Sequence, residues 1–101
     1  APGQILIAAY GHDVPPHATP ASFGLIVRGH REALGMTQGD VAELCAVTRT
    51  YISALENGHK NPTLETQVRI ASALGLPLST LIREAEDSDS AIQIQRCGHQ
   101  G

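Results

Sequence analysis

Arg49, Thr50, Ser53, Ala54 and Asn57 recur at steps of one, three and four residues, the spacing of one face of an α-helix. That face carries a guanidinium, two hydroxyls, a methyl and a carboxamide, groups that read a polar surface through hydrogen bonds and close contact. The side chains are mostly short, so the face can enter a cleft such as a DNA major groove, about 12 Å wide. Covalent chemistry is not indicated. No Ser/His/Asp set, Cys/His dyad or Gly-rich phosphate loop occurs at a workable spacing, so no enzyme activity is expected. The candidate metal ligands His12 with His17, and Cys97 with His99, are scattered toward the two ends. They lack the paired spacing of a zinc site, so neither metal nor cofactor is expected.

The elements that must position this face follow from apolar spacing. Thr48 is a candidate N-cap, Ile52 and Leu55 face inward, and Asn57-Gly58 ends the helix. The helix before it is capped by Thr37 and has an inner stripe of Val41, Leu44 and Cys45. Ala42 is small enough for a close helix approach, and Val47 anchors the turn between the two. An earlier helix is expected from an N-cap at Ser22, with Phe23, Val27, His30 or Arg31, and Leu34 inward and Gly35 at its end. After a loop through His59 to Pro62, Thr63 caps a fourth helix with Leu64, Val68, Ala71 and Leu74 on one face. Pro77 opens a fifth, carrying Leu78, Leu81 and Ile82, with an acidic polar stretch following Arg83.

The reading is an all-α, five-helix domain over residues 22–85. An N-terminal extension, 1–21, precedes it, and an acidic linker and tail, 86–101, follow. Ile5–Ala9 and the alternating Ala91–Gln95 are candidate short β-strands, which would need partners to be stable.

The chain has 101 residues and a formal net charge of −3, a prior for one small domain. Residues 22–83 carry six basic and five acidic side chains, a net +1. The acidic excess lies in Asp13, Glu84, Glu86, Asp87 and Asp89. Such a balance allows nucleic-acid binding with modest non-specific affinity. No apolar run approaches the roughly 20 residues needed to cross a bilayer, and no signal-peptide pattern opens the chain, so a cytoplasmic, non-membrane protein is expected. Cys45 reads as a buried thiol in preference to a Cys45–Cys97 disulfide.

Several landmarks occur together: Arg28 and Arg31; Gly35-Met36-Thr37-Gln38; Val41-Ala42; Val47-Thr48; Ile52-Ser53; Leu55-Glu56-Asn57-Gly58; Asn61-Pro62-Thr63-Leu64-Glu65; and Ala73-Leu74-Gly75. As a set they resemble the lambda-repressor-like helix-turn-helix family of the XRE type, over residues 23–82. Thr48 to Ser53 is also similar to the recognition helix of restriction–modification controller proteins. The resemblance implies a DNA-binding transcriptional regulator, acting as a dimeric repressor or autoregulator on double-stranded DNA. It places Thr48, Arg49, Thr50, Ser53 and Ala54 at or beside base-reading positions, Arg49 toward guanine. Gln38, Asn57, Lys60 and Asn61 match phosphate-gripping positions, and Arg28 is a further candidate. Tyr51 is read either as core packing or as a phosphate contact through its hydroxyl. Arg31 and Glu56 match a structural ion pair.

Three residues depart from the family pattern. Ala46 stands where the turn often has glycine, and His30 and Gln67 replace aliphatic residues. Homodimerisation would use the fifth helix or the terminal strands. An alternative implied function is an antitoxin-like protein that binds a partner toxin and autoregulates its operon.

Overall fold

The computed structural model describes residues 17–88. They form five helices: α1 Pro20–Ala33, α2 Gln38–Cys45, α3 Arg49–Glu56, α4 Leu64–Ala73 and α5 over residues 78–88. The candidate strands Ile5–Ala9 and Ala91–Gln95, and also Cys97, His12 and His99, lie outside the described residues. Among the described residues no strand occurs, no helix is long and apolar enough to cross a membrane, and no group of three or more His, Cys, Asp and Glu side chains could hold a metal ion.

One local device starts the first four helices. Thr19, Thr37, Thr48 and Thr63 sit in extended backbone, and each hydroxyl accepts the otherwise orphaned N–H three residues on. The bonds to Ser22, Asp40 and Tyr51 are 3.0 Å and that to Thr66 is 3.2 Å. Ser22 is therefore not the first N-cap. Pro20, placed at the first helical position, presets φ and has no N–H to leave unpaired, so the helix begins earlier. Ser22 instead completes a capping box, its Oγ accepting the Thr19 N–H at 2.9 Å.

A second device ends them. Gly35, Ala46, Gly58 and Gly75 have φ of 71°, 57°, 80° and 73°. After each, the next N–H donates to the carbonyl five residues back: Met36 to Arg31, Val47 to Ala42, His59 to Ala54 and Leu76 to Ala71, at 3.1, 3.0, 2.9 and 2.9 Å. These are Schellman ends. Met36, Val47 and Leu76 then pack against the core.

The core comprises Phe23 and Val27 of α1, Val41, Ala42 and Cys45 of α2, Ile52 and Leu55 of α3, Ile70, Ala71 and Leu74 at the end of α4, and Leu81 and Ala85 of α5. Burial pushes the Cys45 thiol pKa up, with Arg69 opposing. Three expected inward residues face out instead: Leu44 is 62% exposed, Leu64 68% and Val68 51%. In α2 the buried set is 41, 42 and 45, and in α4 it is 70, 71 and 74. Both stripes are rotated relative to the expected ones, which fitted the 3.6-residue period nearly as well. Leu34, at the C-cap of α1, is also 55% exposed.

The two polar departures are satisfied rather than disruptive. His30 Nε2 lies 2.6 Å from Glu84 Oε1, tying α1 to α5. Gln67 donates from Nε2 to the Pro62 carbonyl at 3.0 Å, holding the loop before α4. The helix carrying Glu84 continues through residue 88, past Arg83, because Ala85 is fully buried beneath it. Gly24 lets α1 lie against the end of α3. A Cβ there would collide with the Leu55 carbonyl oxygen and stand 2.9 Å from that of Glu56.

Candidate nucleic-acid interface

α3 is only eight residues long, and its orientation depends on what lies behind it. Ile52 and Leu55 are fully buried, and Glu56 is 7% exposed. Glu56 accepts from Arg31 Nε at 2.7 Å and from Arg31 Nη2 at 3.1 Å. Arg31 Nη1 donates to the Met36 carbonyl at 2.8 Å, and Gln38 Nε2 donates to Glu56 Oε1 at 3.1 Å. One buried network thus joins the end of α1, the turn after it, the start of α2 and the end of α3. The hydrogen bonding of the guanidinium to Glu56, aided by the charges of Glu56 and Glu32, raises the Arg31 pKa against the cost of burial. The guanidinium is held charged.

With that side fixed, the opposite face is open. Thr48, Arg49 and Thr50 are exposed, while Ser53 and Ala54 are half-buried. Thr48 Oγ1 is engaged as an acceptor by the Tyr51 N–H at 3.0 Å, so its hydroxyl hydrogen remains for an outside acceptor. Asn57 caps α3 and donates from Nδ2 to the Ser53 carbonyl at 2.9 Å. Lys60 Nζ lies 5.9 Å from the Tyr51 ring centroid, within cation–π range, and Asn61 beside it is exposed.

The expected site residues thus fall into groups. Arg31, Glu56 and Gln38 meet in the interior network; Tyr51 meets Lys60, and Ser53 meets Asn57. Gln38 is half-buried and turned toward Glu56, which leaves one carboxamide N–H for an outside acceptor. Arg28 joins none of these groups. It pairs along its own helix with Glu32 at 3.3 Å, both side chains 55% exposed. The Met36 carbonyl and Gly24 both contribute to placing α3, and nothing in the apolar spacing points to either. A glycine seven residues before Arg31 was the only available signal for the close crossing.

A family profile described as "Helix-turn-helix" matches residues 27–81. The chain is 50% identical over 50 residues to an uncharacterized HTH-type transcriptional regulator of Methanothermobacter thermautotrophicus, covering 50% of this chain and 72% of that protein. It is 37% identical over 62 residues to the transcriptional regulator ClgR of Mycobacterium tuberculosis, covering 61% of this chain but only 55% of that protein. Among solved structures, the clp gene regulator ClgR from Corynebacterium glutamicum superposes with a TM-score of 0.80 at 27% identity, over 85% of this chain and 92% of that one. The restriction–modification controller protein C.AhdI from Aeromonas hydrophila superposes with a TM-score of 0.61 at 30% identity, over 62% of this chain and 96% of that one. With α2, the Ala46 turn and α3 forming the two-helix unit that gives this family its name, the chain belongs to the helix-turn-helix family, in its lambda-repressor-like, XRE-type branch.

Proposed function

We propose that α3 enters the DNA major groove and reads bases through Thr48, Arg49, Thr50, Ser53 and Ala54. That the chain is a DNA-binding transcriptional regulator follows from its family and its named relatives; the finer mechanism is our reading. The observation that carries it is the two-sidedness of α3. Ile52, Leu55 and Glu56 lock one side into the core, while the other holds only short or hydrogen-bonding groups and one arginine.

Arg49 is the one strong base-reading group. Its fork matches guanine O6 and N7, and the Ala54 methyl suits a thymine methyl. Phosphate contacts flank the helix. At the start of α2, Gln38 has one N–H to offer beside backbone N–H groups that favour anions. At the end of α3, Asn57, Lys60 and Asn61 form the second clamp, with the Tyr51 hydroxyl beside them. Arg28 contributes less, because Glu32 partly neutralises it. A segment of net charge near zero gains little from phosphate neutralisation alone. Two copies therefore bind a pseudo-palindrome together, and repression follows from occluding polymerase.

Selection of bound sites from random DNA tests the mechanism. The expected product is two half-sites about one helical turn (~34 Å) apart, each with a required guanine. Recovery of sequences with no common base would overturn base reading by α3.

A further inference from the structure

Gly39 is half-buried in the first turn of α2 and lies outside the hydrophobic core. A Cβ at this position would stand 4.0 Å from Arg49 Cδ and 3.6 Å from Thr37 Oγ1. The Arg49 stem, on an otherwise exposed side chain, therefore passes beside the space that a Gly39 side chain would fill, an open slot that also borders the Thr37 hydroxyl. Glycine is a poor helix former, and φ here is not positive, so the backbone does not require it.

We propose that Gly39 is a positioning residue for Arg49: the slot it leaves holds the arginine stem and so sets the guanidinium's direction of approach to a base. The proposal rests on the reading of Arg49 as the base-reading group. A long side chain loses much rotamer freedom on binding, and a stem already seated loses less. A bulky side chain at 39 fills the slot and turns the stem out. A methyl does not, because 3.6 and 4.0 Å are ordinary contact distances.

The experiment uses the full chain and pairs of DNA duplexes differing at one base pair, the one whose discrimination Arg49→Ala removes. Gly39→Leu is expected to reduce the affinity ratio at that pair by about threefold or more, a part of the roughly fivefold or greater discrimination given by a bidentate contact. Its melting temperature should hold or rise, since leucine favours helix. Gly39→Ala should keep the ratio. In an Arg49→Ala background, Gly39→Leu should change the ratio no further. Equal weakening on both duplexes would overturn the proposal, because it would mark a clash with the DNA backbone. A loss of ratio that persists in the Arg49→Ala background would overturn it as well. If Arg49→Ala alone leaves every single-base ratio intact, the reading of Arg49 fails first, and the proposal falls with it.

Discussion

Lys60 and Glu56 both carry charge near α3, and burial alone gives them opposite roles. Lys60 is exposed, its ammonium stacked near Tyr51, so its contribution depends on what it meets outside the chain. Lys60→Ala is expected to weaken binding to all DNA sequences alike. The slope of log affinity against log salt should become shallower by about 1. Titrations at several salt concentrations measure it, and a loss confined to one sequence would contradict a phosphate role. Glu56 is buried, and its two oxygens take three N–H groups from Arg31 and Gln38. Glu56→Ala leaves a buried guanidinium without its carboxylate, at a cost of about 3–5 kcal/mol, a large share of a small domain's total of roughly 5–15 kcal/mol. Urea unfolding should show it. Arg31→Met combined with Glu56→Leu should recover much of the loss, because no charge is then stranded. A single variant as stable as the parent would show that the network does not hold α3. Residue type alone made these charges legible. The resemblance paired Glu56 with Arg31, but nothing pointed to the tie between His30 and Glu84, which lie 54 positions apart with no local pattern to link them.

At the scale of the element, the ends of helices were easier to read than their sides. A threonine before an apolar run and a glycine after it act through local backbone bonds, so Thr37, Thr48, Thr63, Gly35 and Gly58 declare themselves. Which side of α2 or α4 is buried depends on distant neighbours. Ile70 and Val68 have nearly equal appetite for the core, and only the packing of α4 decides between them. Gly24 gives no periodic signal at all, yet α1 could not lie against α3 with a side chain there. The helix-turn-helix corner itself holds one unfavourable choice. Ala46 adopts φ 57° and ψ 41°, a left-handed conformation in which its Cβ is crowded. Ala46→Gly removes that strain but adds chain entropy to the unfolded state. The balance is a gain of about 0.5–1 kcal/mol, visible as a higher denaturation midpoint with an unchanged slope. An unchanged or lower midpoint would mean that the turn already accommodates the methyl without strain.

For the whole molecule, the face of α3 proposed to read DNA is small and the net charge is negative, so one copy is expected to hold DNA weakly. The fifth helix was the first candidate for pairing two copies, but Leu81 is fully buried within its own protomer and is unavailable. Leu78 and Ile82 remain, each only partly covered by the core. Pairing through them would set two copies of α3 at a fixed separation, and that geometry is what a DNA site can report. Duplexes with two half-sites one turn apart should bind far more tightly than duplexes with one. Moving one half-site by half a turn (~5 base pairs) should remove the gain, because the second helix then faces the wrong side of the duplex. Sedimentation of the protein alone should show a dimer at the concentrations where binding saturates. A single half-site bound as tightly as the pair, with one protein per duplex, would mean that α3 and its flanking phosphate contacts suffice alone, and a second copy would then have no role in recognition.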